Sequence, residues 1–201
     1  MKEKDKTQTS NSYMWVQAGG PPGKPVVIYD YDPSRSGAVP TRLLQDYQGC
    51  AALQQLTDGY EGYNALARTE GIEHLVCWAH VRRKFVEATR VQAKGKKGRA
   101  DEAVALIGRL YGIERDYKEA NDEERFLARQ QFSLPILAEL REWLDKTRPA
   151  VVPNSALGRA LSYMHDYWEK LIRYVERGDL PIDNNRVENP LCQDSCPESL
   201  N

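Results

Sequence analysis

No stretch of this 201-residue chain approaches the roughly 18 consecutive apolar residues that a membrane-spanning helix requires. The opening MKEKDKTQTSNS is charged and polar with no apolar run behind it, so neither a span nor a secretory signal is expected. Cysteine is scarce. Cys50, Cys77, Cys192 and Cys196 are too few for a secreted disulfide framework of this length, and a reducing cytoplasm is the expected compartment. An excess of one charge is missing too: 28 basic residues stand against 29 acidic ones, a net charge of −1. Any attraction to nucleic acid must therefore come from a local patch. There is no internal repeat, and no helix-turn-helix pattern that would read a DNA sequence.

Such a patch is present. Between Ala79 and Arg99 lie Arg82, Arg83, Lys84, Arg90, Lys94, Lys96, Lys97 and Arg99 against Glu87 alone, a net charge of +7 within 21 residues. Arg82, Arg83 and Lys84 follow a strand expected to end near His80, which suits them to backbone phosphates beside a cleft. Lys94, Lys96, Lys97 and Arg99 sit among Gly95 and Gly98 and read as a solvated loop.

The apolar pattern divides the chain into a β-rich front and a helical middle. YMWVQ (13–17) and PVVIYDY (25–31) are rich in aromatic and β-branched residues, with a turn-like segment between them, and predict a hairpin. DPSRSG (32–37) reads as a loop, and a helix is expected over 40–47 behind Pro40. A strand running into Asp58, a short helix over 60–69 and a strand over 74–78 should follow. From about residue 101 the period becomes helical. Ala103, Leu106, Ile107, Leu110, Ile113 and Tyr117 form one stripe, and Ile136, Leu137, Leu140, Trp143 and Leu144 a second. A third starts at Ser155 as N-cap and runs to Val175, with Gly178 as its stop and Pro135 assigned to a first turn or a kink.

Two acids stand out locally. Asp58 ends an apolar-leaning run and precedes Gly59, as at a strand end that opens on a cleft. Glu188 follows Asn185 by three residues, the spacing of a capping box. Asp30 and Asp32 at the end of the hairpin are a competing choice of acids. Cys77 and His80 form a C-x2-H step that Cys192 and Cys196 could complete as a zinc site, although a buried Cys77 and a hydrogen-bonded His80 explain the step equally simply.

The succession YMWV, YDYDPSRSG, TDGYEGYN, CWAHVRRKF and IDNNRVEN resembles the central domain of bacterial transposases of the insertion sequence 66 (IS66) family, over roughly residues 13–190. That resemblance implies an α/β fold with a ribonuclease-H-like core and a large all-helical insertion between the second aspartate and the glutamate. The core would comprise 13–92 and 179–190 and the insertion 93–178, with 1–12 a disordered polar leader and 191–201 an aberrant tail. It implies an Asp, Asp, Glu triad that binds two divalent metals, magnesium or manganese, for DNA strand cleavage and transfer. Asp58 corresponds to the second aspartate and Glu188 to the glutamate, both as catalytic and metal-binding residues. Arg82, Arg83, Lys84 and Arg186 would contact nucleic acid, and His80 would orient the site. DNA is the implied partner, self-association a second, with a nucleoid location.

The chain also departs from the family pattern. The family's first aspartate belongs on a strand just before YMWV, where this chain has MKEKDKTQT, so the core lacks its first strand. Pro190 and LCQDSCPESLN replace the arginine-containing helix expected after Asn189. Two carboxylates hold a metal pair poorly, so weak or absent metal binding and a truncated, inactive transposase fragment are expected. The alternative is a non-catalytic module that binds nucleic acid or a transposase. A zinc-stabilised interaction domain is a third class.

Overall fold

A computed structural model describes residues 13–19, 26–34, 36–45, 49–52, 72–91 and 98–183. It is a mixed α/β structure, mostly helical, with two two-stranded sheets among the described residues. The chain divides into two units.

The first unit holds the expected hairpin. Strands β1 (Tyr13–Gly19) and β2 (Val26–Asp32) pair antiparallel with Tyr13 opposite Asp32 and Gly19 opposite Val26. Beyond β2 a relay of side chains shapes the DPSRSG loop. The Asp32 carboxylate accepts the Ser34 N–H at 2.7 Å, the Ser34 hydroxyl accepts the Ser36 N–H at 3.0 Å, and the Ser36 hydroxyl accepts the Ala38 N–H at 3.1 Å. Short polar side chains that bond backbone two residues ahead turn a chain without help from a sheet. The relay delivers the chain into helix α1 (Ala38–Leu43), which starts two residues before Pro40. Asp32 also pairs with Arg42 at 3.2 Å, so this acid organises its own loop.

The second unit carries the core. Strands β3 (Gly49–Ala52) and β4 (Ile72–Leu75) form the other sheet. Helix α2 (Trp78–Arg90) follows, then α3 (Arg99–Asp116), α4 (Asp122–Ala128), a π-helical turn (Arg129–Ser133), α5 (Leu134–Thr147), α6 (Ala156–Asp166), the short α7 (Trp168–Leu171) and a 3-10 turn (Ile172–Glu176). The expected stripes are buried where their period placed them. Ala103, Leu106, Ile107 and Leu110 of α3 meet Ile136, Leu137, Leu140 and Leu144 of α5 in one cluster with Leu161 and Met164 of α6.

Two local expectations change. The strand over 74–78 stops at Leu75, and Trp78 opens α2 instead, because Trp78, Val81, Phe85 and Ala88 recur at helical spacing and all four are buried. The helix from Ser155 breaks at Tyr167 (φ −106°, ψ 9°) and resumes as α7, a hinge that an uninterrupted apolar stripe conceals. Ser155 does cap α6, its hydroxyl accepting the Gly158 N–H at 2.9 Å. Gly178 follows the cap residue Arg177 at the end of the helical stretch, and a Cβ there would overlap the backbone of Asp122.

Pro135 lies in the first turn of α5 behind the π turn. The wider π turn puts Arg129 and Ser133 on the buried face. Arg129, 1 % exposed, forks onto both carboxylate oxygens of Glu114 at 2.8 and 2.6 Å, and its Nη1 donates to the carbonyls of Tyr174 (2.7 Å) and Arg177 (2.6 Å). One guanidinium thereby joins α3, the π turn and the end of the 3-10 turn.

Candidate functional site

Two of the motifs that stand far apart in sequence meet at the start of α2. The Trp78 N–H is one of the first-turn donors that no helix can satisfy internally, and it donates to the Ile182 carbonyl at 3.1 Å. The indole is fully buried, donates from Nε1 to the Leu171 carbonyl at 2.9 Å, and packs edge-on against Trp168 with ring centres 6.3 Å apart. Leu180 and Ile182 are buried on either side of the exposed Pro181. CWAHVRRKF and the first two residues of IDNN thus share one corner of the helical unit.

Tyr111 of α3 reaches the same corner. Its hydroxyl is shielded from solvent and meets no partner with strict hydrogen-bond geometry. Burial foremost, then the negative charge of Asp183, holds the phenol far above the ordinary tyrosine range, with Cys77 adding to the rise and Arg82 opposing it. Asp183, Cys77 and Arg82 are therefore the charged or ionisable neighbours that this phenol feels. Cys77 is buried at the N-cap of α2, and His80 is half-buried in the first turn.

The basic residues fan out because they are helical. Successive residues on a helix point about 100° apart, so three neighbours cannot form one stripe. Arg82 and Arg83 are exposed, while Lys84 turns toward α6 with its ammonium 4.7 Å from the centre of the Tyr163 ring. Arg90 is exposed further along, seven positions from Arg83 and on the same side, with the exposed Glu87 between them. The exposed cations of α2 are thus Arg82, Arg83 and Arg90, while Lys84 lies over an aromatic ring.

Asp58, Glu188 and Arg186 lie outside the described residues, as do Cys192 and Cys196. Among the described residues no group of three or more His, Cys, Asp or Glu is placed to hold a metal ion. The structure thus carries His80, Arg82 and Arg83 on one helix, and Arg82 and Asp183 both act on the Tyr111 phenol. Sequence reasoning did not single out Tyr111 and Asp183. Tyr111 sits one position off the α3 stripe, and Asp183 lies inside IDNN, a motif noticed only for the glutamate beyond it.

These features define a helix-rich α/β protein with a basic helix packed at the junction of two motifs, and no helix among the described residues is long and apolar enough to cross a membrane. The family model described as "Transposase IS66 family" matches residues 1–192, and the chain belongs to that family. It is 30% identical over 195 residues to the uncharacterized protein y4jD of Sinorhizobium fredii, covering 92% of this chain and 37% of that one. It is 32% identical over 204 residues to the uncharacterized protein y4hP of the same organism, covering 94% and 36%. The chain therefore spans little more than a third of the length of these relatives. No solved structure matches it significantly.

Proposed function

We propose that this chain is the part of a DNA transposase that engages the DNA backbone, with Asp58 and Glu188 as two members of an Asp, Asp, Glu triad on a ribonuclease-H-like core. The observation that carries the reading is the bond from the Trp78 N–H to the Ile182 carbonyl. It ties the segment that leads into Glu188 to the helix that presents His80, Arg82 and Arg83. Arginine suits this task because its guanidinium stays charged and can fork onto two phosphate oxygens. Arg186, two residues before Glu188, adds a further cation to the same segment.

Carboxylate oxygens are hard donors, so Asp58 and Glu188 fit magnesium or manganese rather than zinc. When bound, such ions activate the attacking oxygen and stabilise the leaving one in phosphoryl transfer. The residues of this chain do the rest. Asp58 and Glu188 would hold the ions, Arg82 and Arg83 neutralise the phosphates on either side of the reacting one, and His80 orients the pocket. By this reading Asp58 and Glu188 are two of the three carboxylates that hold the ions. The working location is the nucleoid, and self-association is the natural way to hold two DNA ends.

A second reading, a non-catalytic module that binds DNA or a transposase, is favoured by one fact: the exposed arginines sit on a helix whose other face is fully buried. One experiment separates the readings. Binding of the chain to duplex DNA is measured against salt for the native protein and the double variant Arg82→Ala, Arg83→Ala, with plasmid nicking followed in magnesium and manganese. The double variant should bind more weakly and lose about two from the slope of log affinity against log salt, since each phosphate contact contributes roughly 0.9. An unchanged slope would remove these arginines from the interface. Metal-dependent nicking abolished by Asp58→Ala would exclude the non-catalytic module.

A further inference from the structure

We infer that an apolar groove on the helical unit is the surface on which a second copy of this chain docks, antiparallel to the first about a two-fold axis. That two copies hold two DNA ends rests on the function proposed above. The groove itself is argued from its own residues.

The groove has a volume of about 640 Å³ and two walls. Phe126, Leu134 and Arg141 stand along the first, which runs through α4, the π turn and α5, and Trp168, Ile172 and Glu176 along the second, made by α7 and the 3-10 turn. Two contacts show that the walls run in opposite directions. At one end the Arg141 guanidinium lies 5.5 Å from the centre of the Trp168 ring, and towards the other the Gln130 side-chain amide donates to the Val175 carbonyl at 2.7 Å. From residue 126 to residue 141 the first wall is roughly 20 Å long, at about 1.5 Å per helical residue. Leu137, Trp168 and Val175 are buried in the floor, while Leu134, 40% exposed, and Ala138, exposed one turn further on, stand near the middle of the wall. A continuous apolar strip left open to water marks an interaction surface.

The charges at its two ends select the occupant. Arg141 is the cation at one end and Glu176 the anion at the other. The Arg141 Nε donates to Asp145 at 2.9 Å, which leaves both Nη groups able to reach across, and Glu176 is exposed and forms no ion pair among the described residues. A two-fold rotation about an axis through the middle of the groove lays each end on the opposite end of the other copy. Arg141 of each copy then faces Glu176 of the other, so the complementary pair forms twice. Leu134 lies near the axis, and the small Ala138 of the other copy leaves room for it. An unrelated apolar segment could cover the floor, but it would have to carry the reverse charges at the right separation. A second copy carries them by symmetry.

The test is the solution mass of the 201-residue chain by sedimentation equilibrium, without DNA or metal, up to about 100 μM protein. Native protein should dimerise. Ala138→Glu, on the solvent side of α5, should raise the dissociation constant by at least about tenfold with native helical circular dichroism. Arg141→Glu and Glu176→Arg should each weaken self-association by a similar factor, because every cross-pair in their homodimers has like charge. Mixed in equal amounts, these two variants should dimerise with one another as native protein does, since both cross-pairs regain opposite charge. A native protein that stays monomeric would assign the groove to another occupant and overturn the inference. So would a dimer indifferent to Arg141→Glu and Glu176→Arg, or a mixture of the two that stays monomeric. With no nucleic acid present, a chain that fails to bind DNA can still dimerise, and a failed dimer leaves the salt dependence of Arg82 and Arg83 untouched.

Discussion

Arg129→Ala is expected to destabilise the helical unit by about 3–5 kcal/mol, the usual cost of removing one partner from a buried ion pair. For a chain of this size that corresponds to a fall in melting temperature of roughly 6–20 °C. Removing the guanidinium strands Glu114, whose side chain is only 15% exposed, and leaves the carbonyls of Tyr174 and Arg177 without their donor. Arg129→Lys should recover little, since a single ammonium cannot fork onto Glu114 and reach both carbonyls at once. Pairing the lesion with Glu114→Gln should cost less than the single change, because the charge left behind in the first variant is then neutral. Thermal and urea denaturation of the three variants decide the matter. A loss under about 1 kcal/mol for Arg129→Ala would mean that water replaces the guanidinium readily and that the joint is not structural.

Trp78→Ala carries the other large expected effect, about 3–5 kcal/mol for deleting a fully buried large aromatic side chain. The change empties the space between α2 and α7, removes the edge-on contact with Trp168 and abandons the Leu171 carbonyl. Trp78→Phe separates these contributions. It retains most of the ring but not the indole donor, so it should cost about 1–3 kcal/mol, the penalty of one buried acceptor left unpaired. Denaturation midpoints of the two variants measure the difference. Equal losses would show that the hydrogen bond dominates and the cavity collapses. The backbone bond from residue 78 to Ile182 survives both substitutions, and Trp78→Ala should still loosen it because the wall behind it is gone.

These effects lie in places that a linear reading reaches unequally. The hairpin was legible because aromatic and β-branched residues cluster on both sides of a turn, a property of a dozen neighbouring residues. Helices α3, α5 and α6 were legible because their apolar residues recur with the helical period. Helix α4 went unread although Asn121 and Glu124 carry a capping-box spacing, and the two bonds form at 2.9 and 3.1 Å. Its own residues, DEERFLA, show no stripe long enough to announce it.

The corner formed by Trp78, Tyr111 and Ile182 was illegible for a different reason. Each residue looks ordinary in its own segment, and the meeting depends on how helices separated by dozens of residues pack. Arg129 is the extreme case. Charged residues are normally solvated, so nothing in RFLARQQFS marks one arginine as buried. Its burial follows from the π turn and from an acid fifteen residues earlier on another helix.

Membership of the transposase family, the hairpin and the residues that give α3, α5 and α6 their apolar faces were determined by the amino-acid order alone, because they depend on neighbours within a few turns of chain. Tertiary packing decided that CWAHVRRKF becomes a helix beginning at Trp78, that Lys84 parts company with Arg82 and Arg83, and that Ile182 docks where that helix begins. The physical reason is that local periodicity specifies which side of an element is apolar. Only the partner that covers it determines which polar groups are trapped beside it and must find one another.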